Sequence, residues 1–267
     1  YIEVLSFIAK GEVKGEYPDL KNIGELMRKE LQHRLKNSDR DPDMQEMLKQ
    51  EKAADAPKES LVKKMINKLK NMNVNIVAVS KYHTKEEIDA VAKEGLITFG
   101  ENRVQEFLEK YDPKYKWHII GHLQTNKVKY IIGKVEMIES LDSIKLAKEI
   151  EKQAAKHDVI QNVLVQIKIS KDELKTGLPI EETNSFLKEV STYPHIKLKG
   201  FMCVASHTDN IQLIEEEFSM MNDLYKNYKD LYQLDTLSMG MSNDYELAIK
   251  HGSNNVRIGS AIFGARN

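Results

Sequence analysis

Cysteine is almost missing from this chain: Cys203 is the only one in 267 residues. An internal disulfide and any cysteine-rich metal site are thereby excluded. A surplus of charge is missing too. The 40 Lys and Arg stand against 41 Asp and Glu, a formal charge of -1. There is neither the basic field of a nucleic-acid binder nor an acidic, solvating tail. No apolar run approaches the ~18 residues of a membrane span. The opening segment, Tyr1 to Lys10, has no basic leader and no sustained apolar stretch, so no signal peptide is expected. Together with the single thiol, this makes a cytoplasmic location the expectation. Tyr1 stands where a natural start would carry methionine, which leaves room for residues upstream. His118, His122 and His207 are too dispersed for a recognisable metal motif.

What is present divides into two textures. Residues 1–56 are dense in charge and broken early by Gly11, Gly15 and Pro18. Leu20, Ile23, Met27, Leu31 and Leu35 recur near helical spacing, which predicts an amphipathic helix. Asp39 to Asp43 reads as a turn before a second helix ending near Ala54. Residues 1–56 are therefore expected to be a charged helical extension of a domain over 57–267. From Lys58 onward, short apolar runs alternate with amphipathic stretches. Strands are predicted at Asn75 to Lys81, Leu96 to Gly100, Trp117 to Gly121 and Val135 to Glu139. Four more follow at Asn162 to Lys168, Ile196 to Ala205, Thr236 to Met239 and Asn255 to Ile258. Helix signals follow each of them. Eight such pairs predict an α/β fold of the (β/α)8, TIM-barrel type. An open doubly wound sheet is the alternative. The even spacing disfavours it, as does the lack of Gly-x-Gly-x-x-Gly after the first strand.

Candidate chemistry collects at the strand ends. The first strand finishes in Lys81, an ammonium that is costly to bury but sits where α/β folds place ligands. In barrels the loops after strands seven and eight commonly bind phosphate. Here they read Ser238-Met-Gly-Met-Ser-Asn-Asp244 and Arg257-Ile-Gly-Ser-Ala-Ile-Phe-Gly264. Glycine lets backbone approach an anion, hydroxyls donate, and helix N-termini offer unpaired N–H groups. A strand-end lysine facing a phosphate cup suits pyridoxal 5′-phosphate, which carries both an aldehyde and a phosphate. Arg257, on strand eight, could face the pyridine nitrogen and keep it unprotonated, weakening the ring as an electron sink. Of the other residues, Cys203 reads as a small core side chain and Ser143 as a helix cap. Glu215 to Glu217 reads as a solvated helix face.

Several blocks carry a resemblance that runs in order across about residues 58–267. Val79-Ser-Lys81, Phe99-Gly-Glu-Asn-Arg-Val-Gln-Glu106 and Trp117-His-Ile-Ile-Gly-His-Leu-Gln-Thr-Asn-Lys127 are the first three. The two strand-seven and strand-eight loops complete the set. The chain resembles the pyridoxal phosphate homeostasis protein family, also called YggS-like or proline synthetase co-transcribed-like. That resemblance implies a fold-type III barrel, similar to the N-terminal domain of alanine racemase, with Lys81 as the Schiff-base lysine. It further implies Ser242, Gly259 and Ser260 near the phosphate, Arg257 at the pyridine nitrogen, and Asn102 and Met239 lining the ring. The block after strand six departs from the family, which usually carries a proline where this chain has Gly200-Phe-Met-Cys-Val-Ala-Ser206. Residues before about Lys58 match nothing in it.

The expected function is thus a pyridoxal-phosphate-binding protein that holds the cofactor as an internal aldimine and buffers or delivers it. PLP-dependent apoenzymes are the expected recipients. A monomer that binds neither nucleic acid nor membrane, and that is not a conventional enzyme, is expected. Racemases of this fold type add a C-terminal β-domain, for which no sequence follows here. A fold-type III amino-acid racemase is the enzymatic alternative. A Schiff-base aldolase is a further rival, with Glu101 as its acid–base partner.

Overall fold

The computed structural model describes residues 60–170 and 175–264. The two helices predicted within residues 1–56 lie outside the described residues.

Ser60 starts the described chain as a helix cap, its hydroxyl accepting the Lys63 N–H at 3.0 Å. Helix α1 (Leu61–Asn71) buries Ile66 and Leu69 and leads into strand β1 (Asn75–Val79). The remaining strands are β2 (Thr98–Glu101), β3 (Lys116–Ile119), β4 (Met137–Leu141), β5 (Gln161–Gln166), β6 (Ile196–Met202), β7 (Thr236–Ser238) and β8 (Asn255–Ile258). All pair in parallel in sequence order, and β8 returns to β1, closing a barrel. Parallel neighbours need crossovers. Those with α-helices are α2 (Lys85–Lys93), α3 (Val104–Lys110), α4 (Ile144–His157), α5 (Thr183–Val190), α6 (Ile211–Tyr232) and α7 (Tyr245–Lys250). Helix α8 (Ser260–Phe263) follows β8.

The crossover after β3 differs from expectation. Thr125–Tyr130 is a 3-10 helix, without a side-chain cap bond from Gln124. Its opening pair, Thr125-Asn126, has low helix propensity, and Gly133 at φ +78 ends the segment within a turn. Several strands are also shorter than their apolar runs. Strand β6 stops at Met202, and Cys203 and Ala205 stay buried beyond it without pairing on as strand.

Strand alternation sorts the side chains into two layers. Outward residues such as Phe99, Trp117, Ile138 and Phe201 join helix residues Phe107, Ile150 and Phe218 in one large core. Phe99, Phe107, Tyr115 and Trp117 meet there in edge and tilted pairs with centroids 5.0–6.3 Å apart. Inward residues include the small separate cluster Met137, Leu164 and Met202. Two residues beyond Met137 on the same face comes a charge, Glu139, fully buried. The barrel interior is therefore part apolar and part ionic.

Candidate functional site

The end of β1 is where the predicted lysine emerges. Beyond Val79 the chain makes a tight turn, with the Ser80 carbonyl accepting the His83 N–H at 3.0 Å. Lys81 is half-buried in that turn. Next to it, on β8, register pairs Ala78 with Ile258. A methyl group built on Gly259 would stand 3.5 Å from Val79 Cβ, so the backbone after β8 lies directly against the end of β1. The Gly259 N–H donates to Ser242 Oγ at 3.2 Å, bringing in the loop after β7. Arg257 N–H donates to the Gly240 carbonyl at 3.0 Å, fastening the same loop again. Ser260 opens α8; the Ile262 and Phe263 N–H groups close on the Gly259 carbonyl at 2.9 and 3.0 Å, which leaves those of Ser260 and Ala261 facing out of the first turn. Thus Lys81, Ser242, Arg257, Gly259 and Ser260 share the C-terminal ends of β7, β8 and β1. Asn102, half-buried, follows β2, the other neighbour of β1. Its backbone lies against Gly121, where an added Cβ would come within 2.6 Å of the Asn102 carbonyl oxygen. Met239 is fully buried within the large apolar cluster, among outward-facing residues.

Arg257 carries the most elaborate support. Its Nη1 donates to Ser238 Oγ at 2.6 Å and its Nη2 to the Cys203 carbonyl at 2.7 Å. Ser238 in turn donates to Glu139 Oε2 at 2.6 Å, and Glu139 Oε2 stands 3.9 Å from Nη1 itself. The other carboxylate oxygen lies 2.7 Å from His118 Nδ1. Burial by itself would push the Glu139 carboxyl up. The His118 bond, the charges of His118 and Arg257 and the Ser238 hydroxyl outweigh that and hold it below its ordinary value of 4.5. Against an ionised carboxylate, Nδ1 must be the donor. The Glu139–His118 pair that supports Arg257 went unrecognised. The only sequence signal was a glutamate inside the apolar run Val135-Glu-Met-Ile-Glu139, a place where a charge needs partners. Glu101 points outward, bonded to Ser80 Oγ at 2.7 Å and Lys110 Nζ at 3.0 Å, and burial raises its carboxyl above the ordinary range despite both partners.

Two further expectations need correction or location. Glu217 is not solvated: it is buried and accepts both the backbone N–H of Ser206 and its hydroxyl, tying down the chain after β6. Cys203 is buried as expected, and burial pushes its thiol up to about 12, so it is inert. A cavity of about 670 Å³ opens at the opposite, N-terminal end of the barrel, with His118, Glu139 and Asn255 in its lining. It is separate from the lysine and the two serine loops.

The family model for the alanine racemase N-terminal domain matches residues 60–267. A pyridoxal phosphate homeostasis protein from Haemophilus influenzae is 40% identical over 208 residues, covering 74% of this chain and 88% of that protein. The chain belongs to the pyridoxal phosphate homeostasis protein family. A member from Aquifex aeolicus is 42% identical over 178 residues, spanning 64% of this chain and 78% of its own. Among solved structures, PipY of Synechococcus elongatus PCC7942, with PLP bound, superposes with a TM-score of 0.70 at 27% identity. That match covers 76% of this chain and all of PipY. An alanine racemase of Clostridium difficile, 17% identical, matches with a TM-score of 0.64 over 75% of this chain and 55% of its own, which speaks to fold alone. The homeostasis family thus shares the racemase barrel, and the fold expectation is met: a closed eight-stranded parallel barrel with alternating helices. Among the described residues no helix is long and apolar enough to cross a membrane.

Proposed function

We propose that this chain binds pyridoxal 5′-phosphate through Lys81 and serves to hold and release it, rather than to turn over a substrate. The observation that carries this reading is the convergence, in a member of this family, of an amine, an arginine and two serine hydroxyls on one barrel mouth. The donor chemistry fits the group. Ser242 and Ser260 hydroxyls and the Ser260 and Ala261 N–H groups opening α8 suit a phosphate, and the Arg257 guanidinium suits the ring nitrogen. When bound, pyridoxal phosphate supplies an aldehyde that condenses reversibly with a primary amine. Lys81 would be that amine, while Asn102 would line the ring side.

Arg257 supports the carrier reading. Its guanidinium is permanently charged and is held in place by Ser238, the Cys203 carbonyl and the buried Glu139. An always-protonated arginine does not readily hand a proton to the ring nitrogen, so it weakens the ring as an electron sink and disfavours chemistry that needs a fully developed carbanion. The released cofactor would pass to PLP-dependent apoenzymes. Titrating wild type and Lys81→Ala with pyridoxal phosphate, followed by absorbance, tests the reading. Wild type should acquire a visible band and the variant should not, both remaining folded. An unchanged band in Lys81→Ala would sink the assignment, and racemisation of alanine by loaded wild type would favour the enzymatic alternative.

A further inference from the structure

We propose that Lys110 and Glu106 are positioning residues for Lys81, fixing the peptide groups on either side of it so that its amine is held toward the barrel mouth. The proposal rests on the reading of Lys81 as the attachment lysine. Lys81 and Tyr82 are the central residues of the Ser80–His83 turn, and Tyr82 has φ +69. A turn with positive φ at its third residue favours glycine there. A tyrosine in that conformation persists only where contacts from outside the turn hold it.

Those contacts come from α3, in the next strand–helix unit. An ammonium has three N–H donors, and all three of Lys110 are used. One goes to the Ser80 carbonyl at 2.9 Å, one to Glu106 Oε1 at 2.8 Å and one to Glu101 Oε1 at 3.0 Å. The same Glu106 oxygen accepts the backbone N–H of Tyr82. The carbonyl preceding Lys81 and the amide following it therefore end on one ammonium–carboxylate pair. The Ser80 hydroxyl, donating to Glu101 at 2.7 Å, adds a third tether. Ser80 and Glu101 are fully buried and the Lys110 side chain is 10% exposed, so the pair works out of water. A brace joining α3 to β2 would need only Lys110 and Glu101. The bonds to Ser80 and Tyr82 do something else, because they grip the loop after β1. Fixing that backbone removes freedom from the lysine stem before any aldehyde arrives, which is how orientation raises a rate.

Full-length Glu106→Ala and Glu106→Gln test this, because Glu106 lies at the half-open end of the cluster with 17% of its side chain exposed. Two quantities are measured: the rate at which pyridoxal phosphate becomes borohydride-trappable on Lys81, and the affinity for pyridoxine 5′-phosphate, which lacks the aldehyde. Glu106→Ala should slow capture about tenfold while leaving pyridoxine 5′-phosphate affinity within about twofold. Glu106→Gln, whose side-chain oxygen can still accept the Tyr82 N–H, should recover most of the rate. Lys110→Met should slow capture at least as much. Equal weakening of both ligands by Glu106→Ala would mean a role in the fold alone and overturn the proposal, as would unchanged capture in a wild type that traps normally. A wild type that traps nothing on Lys81 overturns the attachment reading itself, and this proposal with it.

Discussion

Ser242 and Ser260 carry the most selective expectation at the scale of single residues. If each hydroxyl donates to the phosphate, replacing either by alanine removes a charge-assisted bond worth roughly 1.5–3 kcal/mol. Affinity for pyridoxal phosphate should fall on the order of ten- to a hundredfold, with that for unphosphorylated pyridoxal hardly changed. Ser242 also accepts the Gly259 N–H, so its loss loosens the loop as well, and Ser242→Ala should be the larger effect. Titration of both aldehydes against both variants checks this; parallel weakening of both would place the serines away from the phosphate. Glu139→Gln addresses the buried charge. Removing one partner of a buried pair costs about 3 kcal/mol at neutral pH. Because the folded Glu139 carboxyl is held below 4.5, its stabilisation is fully present above that value and is lost as pH falls through the depressed one. The gap in thermal stability between wild type and Glu139→Gln should therefore narrow on acidification, and a gap independent of pH would contradict the ionised assignment. Lys81 and the Gly-Ser loops were legible in the sequence because they sit at strand ends, where polarity interrupts an apolar run. Glu139, His118 and Lys110 were not, since the contacts that decide their roles, Glu139 to Ser238, His118 to Glu139 and Lys110 to Ser80, span 99, 21 and 30 residues and only the closed barrel brings them together.

Among the elements, β6 bears the tightest constraint. Its register against β5 shifts between Val163 and Leu164, so that Gly200 follows Leu198 in the pairing. Gly200 has φ +154, and a Cβ there would lie 1.7 Å from the Thr236 carbonyl oxygen of β7. Gly200→Ala should therefore force β6 and β7 apart and cost at least about 3 kcal/mol, seen as a large fall in melting temperature or loss of soluble protein. A variant of near wild-type stability would show that the strand can shift to accommodate a methyl. Apolar runs and helical spacing sufficed to find all eight strands and most helices, because burial on both faces writes itself as continuous Val, Ile and Leu. The ends were less readable. Strand β1 was expected to reach Lys81 and stops at Val79, because turn bonds from Lys110 and Glu106 take over there, and these are long-range.

For the molecule as a whole, every residue assigned to the site falls between Ser80 and Phe263, within the closed barrel. Deleting residues 1–56 should preserve pyridoxal phosphate binding, as measured by equilibrium titration of the truncated chain. Loss of binding in a truncated protein that remains folded would mean that the first 56 residues help to build the site. The central claim, that Lys81 is the point of attachment, is tested most directly by chemical fixation. Full-length protein loaded with pyridoxal phosphate is reduced with borohydride, digested and mapped by mass spectrometry. The phosphopyridoxyl mass should appear on the peptide containing Lys81 and be absent from the same digest of Lys81→Ala. A stoichiometric adduct on any other lysine, with the Lys81 peptide unmodified, would contradict it.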